Sequence, residues 1–129
     1  MTEKKWSVAL VHGIPGVIGT MERLTRQACP GVTVFNLLHE GLFLELSQAG
    51  GITPSIMKRL CMLIAAAEES GASVILVTGS TLSPSVDYAR KMVSVPVLKI
   101  DEAMAEEAIK MGRRIGLVAT EEATIAPSS

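Results

Sequence analysis

The sequence predicts an α/β fold: a three-layer lobe built on a mainly parallel sheet of four or five strands. Three observations carry this reading. Short Val/Ile/Leu-rich runs of strand length alternate with longer stretches whose apolar residues recur at helical spacing. Hydrophobic residues make up 48% of the 129 but aromatics only 3%, so the core is aliphatic, which suits a sheet covered by helices on both faces. Proline opens the stretches after several of the runs, at Pro15, Thr53-Pro54 and Ser83-Pro84. Such alternation implies right-handed crossovers between parallel strands. The length is that of one domain, enough to bury roughly two-thirds of the surface of the unfolded chain.

Residues 6–11 read as the first strand, and Pro15 opens a helix reaching about residue 28. Residues 32–37 are a second strand, followed by a short apolar segment at 42–46, long enough for one or two helical turns. Thr53 then stands as an N-cap with Pro54 in the first helical position. Its helix carries Ile56, Leu60, Leu63, Ile64 and Ala67 at helical spacing and stops near Gly71. Residues 74–78 are the third strand, and Ser83-Pro84 repeats the cap-then-proline device. Residues 95–100 form a fourth strand. Asp101 caps a helix through Met104, Ala108 and Met111 that ends at Gly112, and residues 114–119 are a fifth strand. The methionines Met57, Met62, Met104 and Met111 are expected in the core.

Composition excludes several function classes. With 12 basic and 13 acidic residues the net charge is −1, and the basic residues are scattered pairs, so no nucleic acid is expected as a partner. No apolar run approaches the ~18 residues of a membrane span, no membrane partner is expected, and the start lacks a signal-peptide pattern. The expected compartment is the cytoplasm. Two cysteines make no disulfide framework there, and no Cys/His spacing suggests a metal. Cys61 reads as a buried, inert thiol. Cys29 sits in a helix-to-strand turn with nothing basic beside it except Arg26 one turn back, a poor place for activation.

The chemistry-bearing stretch is Thr78-Gly79-Ser80-Thr81-Leu82-Ser83-Pro84. It places hydroxyls and free backbone N–H groups at the carboxyl end of a buried strand, where open α/β sheets bind ligands. Thr78, Ser80 and Thr81 are candidate donors to a small carboxylate, and Gly79, in their midst, brings no side chain. His12 ends the first strand beside Gly13-Ile14-Pro15-Gly16 and is expected to face the same cleft, where it could bind a carboxylate. The loops 13–16 and 78–83 together form the expected anion site. His39, with Glu40, is expected in solvent. A rival signal is the glycine run Gly13, Gly16, Gly19, with Glu40 about twenty residues on. A dinucleotide-binding module would use such a turn, but the spacing is not G-x-G-x-x-G and Pro15 interrupts it.

Three segments together carry a resemblance: 74–84, then 95–104 (Val-Pro-Val-Leu-Lys-Ile-Asp-Glu-Ala-Met), then 112–120 (Gly-Arg-Arg-Ile-Gly-Leu-Val-Ala-Thr). With Asn36-Leu37-Leu38 and Gly50-Gly51-Ile52-Thr53-Pro54, the chain resembles the aspartate/glutamate/hydantoin racemase family over nearly its whole length. The resemblance implies two flavodoxin-like (Rossmann-like) lobes with an active site between them, proton transfer at the α-carbon of a small carboxylate, and no cofactor. Family members place one cysteine in each lobe, on opposite faces of the substrate. One thiolate removes the α-proton and the other thiol returns a proton to the opposite face, because a single base tends to return it to the face it left. The first-lobe cysteine matches the position of Gly79. Related decarboxylases carry glycine there and protonate from one side.

The end of the chain repeats its beginning. Arg113-Arg114 and the apolar run after it echo Lys4-Lys5 and the run 6–11, each followed by a polar loop and a proline. Residues 1–112 therefore read as a first lobe and 113–129 as the start of a second lobe or an added edge strand. On that reading the chain lacks the second-lobe cysteine as well as the first, so catalysis by it is not expected. The cleft face left open would pair with a second copy in a homodimer, or with the missing lobe.

Overall fold

A computed structural model describes residues 5–116. Its strands are β1 (Ser7–His12), β2 (Thr33–Leu38), β3 (Val74–Val77) and β4 (Val97–Lys99). They form one parallel sheet in the order β2-β1-β3-β4. The helices are α1 (Ile18–Ala28), α2 (Glu40–Ala49), α3 (Pro54–Glu69), α4 (Ser83–Ala89) and α5 (Glu102–Met111), with 3-10 turns at Pro15–Val17 and Ser80–Leu82. This is the expected flavodoxin-like, three-layer α/β architecture.

The period of two along each strand divides the core between the sheet's faces. Val8 and Leu10 of β1 and Val34 of β2 pack under Met21 of α1. Ala9 and Val11, with Ile75, Val77 and Val97, face the other way, onto Leu42 and Leu46 of α2, Ile56, Leu60 and Ile64 of α3, and Val86 of α4. Leu10, Leu42, Ile56, Leu60, Ile64 and Ile75 are fully buried. Each contributes about 1.5–3 kcal/mol relative to an exposed position.

The α3 start follows the sequence closely. Thr53 is extended, its Oγ1 accepts the Ile56 N–H at 3.2 Å, and Pro54 occupies the first turn. The same hydroxyl donates to Glu45 at 3.1 Å, and Glu45 pairs with Arg59, tying α2 to α3.

Several elements depart from expectation. The segment at 42–46 lies inside a ten-residue helix, α2, because Leu42 and Leu46 are buried one turn apart. Gly50, at φ 73, then supplies the left-handed C-cap that only glycine adopts freely. The fourth strand is three residues long rather than six. Pro96 has no N–H for the ladder, though its carbonyl accepts from Ile75 at 2.9 Å. Ser83 does not cap α4: it is buried inside the first turn, and its hydroxyl donates to Asp101 at 3.1 Å. Asp101 occupies the N-cap of α5 without a side-chain capping bond. Met62, Met104 and Met111 are 60%, 63% and 82% exposed, not in the core, because they lie on the outer sides of α3 and α5. Residues 114–116 form no strand, and the rest of the expected fifth strand lies outside the described residues, as does most of the unit 113–129.

Candidate functional site

The carboxyl ends of β1 and β3 lie side by side in the middle of the sheet. The chain leaves both through short 3-10 turns, Pro15–Val17 after β1 and Ser80–Leu82 after β3. Between them lies a cavity of about 260 Å³. Gly13, Ile14 and Val17 line one wall, Phe43 and Leu46 of α2 the floor, and residues 78–82 the other wall. A space below the ~300–1,000 Å³ of drug-sized pockets takes a small ligand.

Thr78, Gly79, Ser80 and Thr81 thus come together on one wall, as the sequence suggests. Thr78, Gly79 and Ser80 are half-buried, and Thr81 is buried. Among the described residues, no side chain lining the cavity is charged. Its polar lining residues are Thr78, Ser80 and Thr81, with the backbone of the Ser80–Leu82 turn, and the Thr78 hydroxyl is turned to His12 and the Val11 carbonyl. The first N–H groups of such a turn have no partner within it and so point to whatever lies in front.

Gly79 has φ −98 and ψ 114, an extended conformation open to any residue. A β-carbon built there meets only Leu82, with Cδ1 at 3.4 Å and Cγ at 3.6 Å. Neither backbone geometry nor crowding requires glycine at this position.

His12 is placed differently from expectation. It is fully buried and does not line the cavity. Its Nδ1 lies 2.7 Å from Thr78 Oγ1, and its Nε2 lies 2.8 Å from Asn36 Oδ1. The reason is strand alternation: His12 shares the face of Val8 and Leu10, whereas Phe43 and Leu46 cover the face of Ala9 and Val11. Its link to the site runs through Thr78. Asn36, two residues back along β2 from Leu38, the register partner of His12, holds the far side of the ring.

The remaining candidates stay away from the cavity. Cys61 is buried in α3, and burial pushes its thiol above the ordinary value. Cys29 is exposed at the C-terminal end of α1. His39 is half-buried at the start of α2, its ring over Gly41, and Glu40 is exposed. Gly16 and Gly19 have open space where a side chain would sit. Among the described residues no group of His, Cys, Asp and Glu side chains is arranged to hold a metal, and no helix is long and apolar enough to cross a membrane.

The sequence reading missed Val17, Phe43 and Leu46. The i, i+3 spacing of Phe43 and Leu46 is the signal that placed both on one side of a helix, had α2 been recognised.

A protein-family model described as Asp/Glu/Hydantoin racemase matches residues 17–127. No curated protein matches the chain.

Proposed function

This chain belongs to the Asp/Glu/hydantoin racemase family, and from that premise we propose that the cavity between β1 and β3 binds a small carboxylate with an acidic α-carbon. A racemase-like function is what family membership supports in general. The finer reading concerns what this chain can do with its ligand. The resemblance puts the first-lobe cysteine of the family where Gly79 stands, in the wall of the cavity. Neither cysteine of the chain reaches that wall. These residues therefore bind the carboxylate without supplying a thiol to remove or return its α-proton.

The observation that carries this reading is the wall itself: Ser80, Thr81 and an N–H turn beside a position that has room for a β-carbon and holds none. Binding is weak, because among the described residues no cation lines the cavity and each neutral hydrogen bond contributes only about 0.5–1.5 kcal/mol. Titration with succinate or glutarate, followed by amide NMR, tests it. The Ser80 and Thr81 signals are expected to move first. Movement confined to amides far from 13–17 and 78–82 would place the site elsewhere.

Gly79 also favours a second reading, that of a decarboxylase-like member whose intermediate is protonated from one side by a group outside these residues. A disubstituted malonate releasing carbon dioxide in the presence of the chain would support it.

A further inference from the structure

We propose that the outer edge of β2 pairs with the β2 edge of a second copy, antiparallel about a two-fold axis, so that the two sheets join into one. The inference is independent of the carboxylate reading, since no β2 residue lines the cavity.

β2 and β4 are the two edges of the sheet. Along a strand, the backbone groups of successive residues point to opposite sides. At β4, Pro96 C=O accepts from Ile75 N–H at 2.9 Å and Ile100 N–H donates to Val77 C=O at 3.2 Å. Even-numbered residues there face β3, and odd-numbered ones face out. Three of the outward groups are engaged by charged side chains. Val95 N–H donates to Glu68 at 3.3 Å, and Lys99 N–H donates to Glu102 at 2.9 Å. Val97 C=O accepts from Arg90 Nε at 2.9 Å and Nη2 at 2.7 Å. A three-residue strand with charged side chains laid on its outer groups is a protected edge.

β2 lacks these devices. Thr33 N–H donates to Trp6 C=O at 2.9 Å and His39 N–H to His12 C=O at 3.0 Å, so the odd-numbered residues bond β1. The backbone N–H and C=O groups of Val34, Asn36 and Leu38 point outward, and among the described residues they have no partner. The strand runs for six residues in unbroken register with β1, with no proline, charged residue or bulge in it. Such an edge is a template for another strand.

The strand is its own complement. With Asn36 on the two-fold axis, it lies opposite the partner's Asn36, and Val34 lies opposite the partner's Leu38. The same match recurs at the other end, because a two-fold contact uses one patch on both copies. Each of these three pairs exchanges two main-chain hydrogen bonds. No like charges meet, and Leu38, exposed in one copy, gains an aliphatic neighbour across the strands. The Asn36 side chain is held inward, its Oδ1 2.8 Å from His12 Nε2.

Amide hydrogen exchange of the full chain, followed by NMR over a dilution series beside sedimentation equilibrium, tests the proposal. The chain is expected to sediment as a dimer when concentrated and to approach a monomer on dilution. In the dimer, the Val34, Asn36 and Leu38 amides are expected to exchange about tenfold more slowly than in the monomer, the equivalent of one hydrogen bond. The Phe35 and Leu37 amides, already bonded to β1, are expected to change little. Leu38→Pro removes an outward N–H that β1 does not use, and is expected to weaken the dimer about tenfold or more, since one bond is lost at each end. A monomer at every concentration overturns the proposal. So does a dimer whose three outward amides exchange as fast as in the monomer, because another face is then paired. A dimer equally strong in folded Leu38→Pro also overturns it. The exchange pattern is read on the unsubstituted chain, so it decides the matter even where the variant fails to fold.

Discussion

The β-carbon that Gly79 lacks would sit 3.4 Å from Cδ1 of Leu82, in ordinary contact, on a backbone of φ −98 and ψ 114. A side chain at this position restricts the unfolded chain without straining the folded one. Gly79→Ala is therefore expected to raise stability by about 0.4–1 kcal/mol in a denaturant titration. Gly79→Cys is expected to fold and to place its thiol against Leu82 in the cavity wall, where iodoacetamide reaches it sooner than Cys61. A destabilised Gly79→Ala would mean that the wall is tighter than the contacts at Leu82 indicate.

Thr53 uses one hydroxyl twice, accepting from Ile56 N–H and donating to Glu45. Thr53→Ala removes the cap of the longest helix, α3, and one tie to α2. The expected loss is about 1–2 kcal/mol. Thr53→Ser, which keeps the oxygen, should lose far less. Equal losses in the two variants would point to the methyl group instead.

Ser85 is fully buried in α4, and its hydroxyl has no partner among the described residues. An unmatched buried donor costs about 1–3 kcal/mol relative to a matched one. Ser85→Ala is expected to leave stability unchanged or to raise it, read as a higher midpoint of thermal unfolding. A clear drop would show that the hydroxyl is matched by bound water.

Glu102 links the sheet to α5. Burial alone would raise the pKa of its carboxyl. The Lys99 N–H at 2.9 Å, the Arg90 guanidinium at 2.6 Å and the charges of Arg90 and Lys99 together outweigh it and hold the group below its ordinary value. A lowered folded-state pKa gives stability that is fully present above the ordinary value of about 4.5 and is lost as the pH falls through the folded value. The acid side of the stability profile should therefore steepen below that pH. In Glu102→Gln this contribution to the slope should be absent, and a profile unchanged by the substitution would show that other carboxyls dominate.

Much of this architecture is legible in the residues. β1, β2 and β3 lie within one residue of where their aliphatic runs suggest, because buried parallel strands need such runs. The turn at 80–82 was legible too, since it follows directly from a strand end. α2 was not: it opens on His39, Glu40 and Gly41, and no side chain caps it, so its local start signal is reduced to the acidic Glu40 in the first turn. Ser83-Pro84 carries the local signal of a cap, yet Asp101, distant in sequence, takes the hydroxyl. Tertiary partners of this kind are invisible to local pattern. His12 shows the opposite case. The alternation along β1 already put it on the face away from α2, and its position at a strand end suggested the cleft more strongly than it should have.

The most direct measurement of the account is exchange of the α-proton. Aspartate, glutamate and a 5-substituted hydantoin would each be incubated with the chain in deuterium oxide and followed by NMR. With Gly79 in the cavity wall and both thiols away from it, the account predicts incorporation at the rate of buffer alone for all three. Incorporation that depends on the chain and persists after both cysteines are alkylated would reveal another base at the cavity and contradict it.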